Sequence, residues 1–485
     1  MTNSLLPAWT LLDLLLLLDI LLASSATLWV LYHPREPRAM LAWILAFILL
    51  PLFGVLLFLL IGEPRLRRLR NRRRKRRPQG VEPAPVEYIE SQESARDSQR
   101  LSPSMRRLSR LVTHLTQRPP LRHNQVKIQQ DGIAAFDALA AALAAAQDHI
   151  HLEFYIFRPD QSGTRIAEIL IERAQAGVEV RLLLDFIGSW SLSWRFFRRL
   201  RREGVEVGWF MPIIPWRGRW RMNFRNHRKI VIIDGDSAIT GSLNIGDEYA
   251  GIERSLGQWH DTLVTLHGPV VEELQEIFCE DWYYATRRRV SGARYHPPLQ
   301  PRADTIAQLV PSGPDQEVRV VQLLIHGLLA SARHEICFAT PYFIPDAALL
   351  IALQGAAYRG VVVRLLLPGR SDHRLSLWAA RSYYREICAA GVEISEYPKG
   401  MLHSKLVLID REWAMVGSAN MDERSFRLNF EVSLLLYDQC TARTLRDHFA
   451  QLRSESIRYR TPAEIQWGFG ESLLLGIARL AGPLL

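Results

Sequence analysis

The stretch "HRKIVIIDGDSAITGSLN" occupies residues 227–244, and "HSKLVLIDREWAMVGSAN" occupies residues 403–420. Laid one over the other without a gap, they share His, Lys, Val, Ile, Asp, Ala, Gly, Ser and Asn at identical offsets. The likeness extends outward. "YIFRPD" from Tyr155 answers "YFIPD" from Tyr342, and "AGVEVRLLLD" from Ala176 answers "RGVVVRLLLP" from Arg359. Further on, "EGVEVGWF" from Glu203 answers "AGVEISEY" from Ala390. Partners lie 176 to 187 residues apart, too far for a solenoid repeat, so a whole domain is duplicated. The offset drops from 187 at Gly204/Gly391 to 176 at His227/His403, which places eleven extra residues in the first half, within "WFMPIIPWRGRWRMNFRN".

Short β-branched runs such as "HIHLEFYIF" and "VEVRLLLDFI" read as buried strands, with the helical "TRIAEILIERAQAG" between them. The fold class is therefore α/β, in two equivalent lobes. The expected boundaries are a membrane anchor over 1–63, a basic juxtamembrane segment and linker over 64–118, a first lobe over 119–300 and a second over 301–485. The linker is rich in Pro, Ser, Glu, Gln and Arg, with one amphipathic helix expected near "SMRRLSRLVTHL".

The anchor is read from two apolar segments, 5–31 and 40–61. The second carries no charge and is long enough to cross a hydrocarbon core of about 30 Å. Pro51 and Gly54 predict a kink inside it. Asp13 and Asp19 are costly against lipid, and Asp19 points to a helix–helix contact. The net charge is +10, and the run "RLRRLRNRRRKRR" from Arg65 alone holds ten basic residues. The charge is thus local, which argues against a nucleic-acid partner and, by the positive-inside rule, puts everything beyond residue 62 in the cytoplasm. The four cysteines are widely separated and form neither a metal-ligand pattern nor a disulfide framework.

In "HRKIVIID", read as a strand, period-two alternation puts His227 and Lys229 on one face, and His403 and Lys405 likewise. Gly-Ser at 241–242 and 417–418 lets backbone approach a ligand closely, and Asn244 and Asn420 can donate amide hydrogens. An imidazole, an ammonium, a hydroxyl and an amide around one point suit a phosphate. Two facing copies supply two imidazoles, one to attack phosphorus and one to protonate the leaving oxygen. A cation beside each histidine disfavours zinc, and neither metal nor cofactor is expected.

H-x-K-x4-D-x6-G-S-x-N, present twice, resembles the phospholipase D superfamily, and in particular the bacterial cardiolipin synthases with two N-terminal spans. The resemblance takes in the paired spans, "GSLNIGDEY", "RLLLPGRSDH", "RSYYREI" and "VGSANMDERSFRLNFE". It implies duplicated phospholipase D-like lobes related by a pseudo-twofold axis, with the active site between them. It implies a phosphohistidine intermediate without metal, and condensation of two phosphatidylglycerol molecules into cardiolipin and glycerol. By the same resemblance the catalytic set is His227, Lys229, Asp234, His403, Lys405 and Asp410. His227 is favoured as nucleophile and His403 as general acid, and Asp234 and Asp410 are expected to brace the site. Ser242, Asn244, Ser418 and Asn420 are expected to hold the phosphoryl oxygens. Glu431 is paired with His227 and Asp261 with His403, each acid reaching across to the opposite lobe.

The expected partners are an anionic phospholipid membrane and phosphatidylglycerol, with the homo-oligomeric state left open. The expected location is the bacterial cytoplasmic membrane, multi-pass, with both lobes in the cytoplasm. Trp209, Phe210, Trp216, Trp220 and Phe224, interleaved with Arg217, Arg219, Arg221 and Arg225, read as an interface-touching insertion, with a hairpin packed inside the protein as the other reading. "ESLLLGIARLAGPLL" reads equally as core or as a membrane-touching helix. A hydrolytic phospholipase D and a non-catalytic membrane scaffold are the alternative functions.

Overall fold

The computed structural model describes residues 11–33, 37–50, 52–61, 99–213, 223–253, 255, 257–298 and 300–482. The basic run from Arg65 and the tip of the insertion, including Trp216 and Trp220, lie outside them. The chain divides into two compact units, one holding the N-terminal helices and the other holding both lobes.

In the first unit, helices Leu11–Tyr32, Pro37–Leu49 and Phe53–Ile61 pack around Val30, Phe47 and Phe58, with Trp29 and Trp43 against them. Among the described residues, Asp13–Tyr32 is the one helix long and apolar enough to cross a membrane. The second apolar segment is two helices, because Pro51 removes a backbone donor and blocks the continuing turn. Leu52 takes a left-handed φ of 54° at the break. Its N–H donates to Asp19 Oδ1 at 2.6 Å. Asp19 is thus the helix–helix contact expected of it: a carboxylate answering a backbone donor that the break exposes.

In the second unit, each lobe repeats one strand pattern. Three parallel strands, His149–Phe154, Glu179–Asp185 and Glu206–Phe210, continue through antiparallel Ile230–Ile233, Ser237–Gly241, Leu263–His267 and Leu121–Gln129. The second lobe does the same with Glu335–Ala339, Val362–Pro368 and Glu393–Tyr397, then Leu406–Ile409, Trp413–Gly417, Asn429–Leu436 and Thr305–Ser312. The last strand of each set pairs antiparallel with its counterpart, Leu121 opposite Ala307, so one sheet runs through both lobes.

Part of the expected linker is structural. Helix Pro103–Thr116 buries Met105, Leu108 and Val112 in the second-lobe core, beside Val320, Leu324 and Leu328. Of the expected insertion, Trp209 stacks on Phe197, and Phe210 and Phe224 are buried; Arg225 is buried beside Asp185. Trp209, Phe210 and Phe224 thus form core, not interface, and Arg225 turns inward. Helix Phe469–Ala481 packs through Leu475 and Ala478, near Ile344 and Ala379, and leaves Phe469, Leu473, Ile477 and Leu480 exposed.

Candidate active site

Two short parallel pairings cross between the lobes and position the site. Arg225–Asn226, immediately before His227, pairs with Asn429–Phe430, immediately before Glu431. Gly400–Leu402, before His403, pairs with Gln258–His260, before Asp261. The His227 N–H donates to the Phe430 carbonyl, and the His403 N–H to the His260 carbonyl, each at 2.9 Å. Backbone register therefore carries each histidine to an acid of the other lobe. His227 Nδ1 lies 2.9 Å from Glu431 Oε2, and His403 Nδ1 lies 2.7 Å from Asp261 Oδ1.

The regular strands begin only at Ile230 and Leu406. The segments 227–229 and 403–405 are thus extended approaches to strands, where the sequence pattern predicts strand from the histidine onward. Lys229 Nζ donates to the His227 carbonyl at 2.8 Å. Lys405 Nζ donates to the His403 carbonyl at 2.7 Å and also lies 2.9 Å from His403 Nε2. Among the described residues, the His227 ring accepts no such bond from Lys229.

Burial decides the charge states. It pushes the His227 imidazole down to about 4, against the opposing pull of Glu431. It also lowers His403, against Asp261. For the acids, burial opposes ionisation but loses. The His403 ring holds Asp261 at about 2, and His227 draws Glu431 below the usual carboxylate range. Burial brings Lys405 to about 8 and lowers Lys229 strongly, with Lys405 adding to the latter effect. At neutral pH both acids are ionised and accept the Nδ1 protons of neutral rings, which leaves Nε2 as the reactive nitrogen.

A cavity of about 320 Å³ opens at these rings, lined by His227, His403, Asn244 and Asn420. Asn420 Oδ1 is buried there without a hydrogen-bond partner. The serines do not line it. Ser418 Oγ donates to Glu431 Oε2 at 2.5 Å, and Ser242 Oγ accepts the Thr262 N–H beside Asp261 at 2.9 Å. Both are fully buried behind the acids. Their place is with the residues that steady the histidines, not with those that could hold a phosphoryl oxygen.

Asp234 and Asp410, grouped with the catalytic set in the sequence reading, sit at the far ends of strands Ile230–Ile233 and Leu406–Ile409. Asp234 accepts the N–H groups of Gln147, Asp148 and His149, and Asp410 those of Arg333, His334 and Glu335. Each ties the start of the neighbouring strand to the hairpin and stands a strand length away from its histidine. Asp234→Ala is expected to lower stability by about 3 kcal/mol, since three backbone donors lose a charged acceptor. Turnover per folded molecule should persist. Denaturant melts run beside active-site titration check this.

The cavity is also lined by residues to which the sequence reading gave no place in the site, among them Tyr155, Arg225, Asp372 and Arg424. The Tyr155 ring lies 5.0 Å from the His227 ring, edge to face. Tyr155 does lie in a repeated motif, which is the one signal that singles it out. No three of His, Cys, Asp or Glu converge as a metal-holding group among the described residues.

Residues 139–282 and 325–453 match the family described as cardiolipin synthase, phospholipase D-like domain, once per lobe. Residues 11–63 match the phospholipase D-nuclease N-terminal family. The chain belongs to the cardiolipin synthase family of phospholipase D-like proteins. It is 39% identical over 458 residues to the cardiolipin synthase of Geobacillus thermodenitrificans, covering 93% of this chain and 90% of that one. It is 36% identical over 452 residues to cardiolipin synthase A of Pseudomonas aeruginosa, covering 93% and 91%. The crystal structure of a phosphatidylserine synthase from Haemophilus influenzae superposes with a TM-score of 0.58 at 15% identity, covering 78% of this chain and all of that one. This last likeness bears on the fold alone. The duplicated α/β reading and the family resemblance both agree with these findings.

Proposed function

We infer that the protein is a cardiolipin synthase, a phosphatidyltransferase that joins two phosphatidylglycerol molecules and releases glycerol. The observation that carries the mechanism is the pair of cross-lobe contacts, which aims two neutral imidazoles at one cavity. His227 Nε2 attacks phosphorus, while His403, which takes up a proton on Nε2 when the anionic phosphodiester binds, gives that proton to the glycerol oxygen as it leaves. The hydroxyl of a second phosphatidylglycerol then attacks the phosphatidyl-histidine and gives its proton back to His403. Lys229 and Lys405 offset the charge of the phosphoryl oxygens, and Asn244 and Asn420 donate hydrogen bonds to them. The asymmetry of the lysines supports this order. His403 Nε2 lies 2.9 Å from the Lys405 ammonium, which engages its lone pair, while among the described residues Lys229 makes no such bond to His227 Nε2, whose lone pair is left for attack.

The lobes work from the cytoplasmic face of a bacterial membrane, and the N-terminal helices hold them at their substrate. Cysteines placed in 33–38 should label from outside the cell, and one near residue 85 should not. The deciding assay uses purified protein and labelled phosphatidylglycerol in bilayers. Cardiolipin and glycerol should form in equal amounts, with phosphatidic acid a minor product. Dominant phosphatidic acid would make the protein a hydrolytic phospholipase D, and absence of any product would favour a scaffold.

The pH dependence has a fixed sign. The nucleophile acts when deprotonated, so kcat/KM should rise as pH passes about 4, the His227 value. The proton donor His403 acts when protonated and lies below the usual imidazole range, so the rate should fall before neutral pH is reached, with a further loss as pH passes about 8, the Lys405 value. The two limbs belong to the coupled site rather than to single residues. A flat profile across this range would exclude these groups from the limiting step.

A further inference from the structure

The two lobes share their motifs, yet the charged residues beside the two histidines differ. On the His227 side stand Arg225 and Arg424, both acting on Tyr155, whose ring packs against His227. By the spacing of the repeat, their counterparts are Met401, buried in the first-lobe core, and Glu248, tied to Arg158. Neither puts a cation on the other side.

On the His403 side stands Asp372, in the loop after strand Val362–Pro368. The Tyr342 hydroxyl lies 2.8 and 3.0 Å from its two carboxylate oxygens. The carboxylate is a third exposed, at the mouth of the cavity. It acts on Lys405, and on Tyr249, whose ring lies 5.7 Å from that of His403. The loop after the equivalent first-lobe strand, Glu179–Asp185, instead carries Ser189. That side chain is fully buried and donates to the Tyr155 carbonyl at 3.0 Å. The carboxylate at the mouth is therefore a feature of one lobe only, beside the histidine assigned as acid and base.

A carboxylate repels a phosphodiester, so the part of the substrate it faces is neutral; the protein group beside it is His373, whose Nε2 lies 3.8 Å away. The carboxylate accepts strong, charge-assisted hydrogen bonds from hydroxyls, and two oxygens suit two neighbouring hydroxyls. We propose that Asp372, oriented by Tyr342, is a polyol subsite that binds the vicinal hydroxyls of the glycerol headgroup next to His403. This deepens the synthase reading and rests on its assignment of His403. The same subsite serves both half-reactions. In the first, the phosphorus–oxygen bond to glycerol breaks, that oxygen takes a proton from His403, and the freed glycerol departs past Asp372. In the second, the acceptor lipid's glycerol headgroup occupies the subsite with its 2-hydroxyl donating to Asp372, which leaves the terminal hydroxyl directed at phosphorus. Its terminal hydroxyl forms the new bond to phosphorus as the bond to His227 breaks, and its proton passes to His403. Holding the acceptor by hydroxyls that water and simple alcohols lack gives it a high effective concentration over water.

The test reads a ratio, so loss of folded protein cancels. Full-length protein in phosphatidylglycerol bilayers receives equal concentrations of glycerol and 1-propanol, with the glycerol isotopically labelled. Labelled phosphatidylglycerol and phosphatidylpropanol are then counted by mass. Wild type should favour glycerol strongly. Asp372→Asn, which keeps the shape but loses the charge, should cut the glycerol-to-propanol ratio about tenfold. Tyr342→Phe should cut it less, and it supplies the reading if the Asp372 variant turns over too slowly. An unchanged ratio in the readable variant, or no preference in wild type, would overturn the subsite. The ratio is defined whether or not cardiolipin forms, so failure of the synthase reading is seen separately, as absence of cardiolipin from wild type.

Discussion

Replacing His403 with Ala is expected to slow turnover of phosphatidylglycerol by about 10⁴-fold, the upper range for loss of a general acid–base. The effect should depend on the leaving group. Glycerol is a poor one and needs the proton. From a phosphatidyl ester of p-nitrophenol the leaving group departs as the stable p-nitrophenolate anion, so the variant should still form a covalent adduct on His227 and then stall. His227→Ala should lose about 10⁶-fold on either substrate, since no nucleophile remains, and should trap no adduct. Acid-labile label on the peptide holding residue 227 in the first variant, and its absence from the second, is the expected result. Label on the peptide holding residue 403 in wild type would reverse the two roles.

The duplication itself was legible because the two copies share residues at fixed offsets, and local strand patterns gave the α/β alternation. The join between lobes was not. The pairing of Leu121–Gln129 with Thr305–Ser312 brings together segments over 180 residues apart, and nothing in either run names its partner. Helix Pro103–Thr116 was legible, because Met105, Leu108 and Val112 are spaced for one buried face, but its docking into the second-lobe core was not. Within the site, residue types announced hydrogen bonding but not its direction. Gly-Ser beside a histidine motif reads as a phosphate cradle, yet Ser242 and Ser418 turn inward to the acids. The aspartates share a motif with the histidines, yet a strand separates them. Asp372 stands in the stretch "RLLLPGRSDH" but has no counterpart in the first half, so the repeat did not single it out.

The cross-lobe acids carry the second large effect. Glu431 accepts from His227, Ser418 and Ser425, and Asn429 stands 3.3 Å away. That set of donors fixes one carboxylate orientation and one tautomer of His227, with the proton on Nδ1 and the lone pair on Nε2. Glu431→Gln keeps the shape and most of the packing but can present an N–H to Nδ1. The ring would then carry its proton on Nε2, where the lone pair is needed for attack. A loss of about 10⁴-fold follows, by analogy with the tautomer-setting acid of a catalytic triad. It should persist with an activated leaving group, because the attacking step itself is damaged. Asp261→Asn does the equivalent to His403, so its loss should largely disappear with the activated ester in the adduct-forming step and return in transfer to the acceptor. The two variants therefore separate by half-reaction, although each acid resides in the lobe opposite its histidine. That separation explains why neither lobe is expected to be active alone: each holds one histidine and the acid that belongs to the other. Equal sensitivity of both variants to the leaving group would contradict the division of labour. Losses below tenfold in both would mean that the acids only pack against the rings.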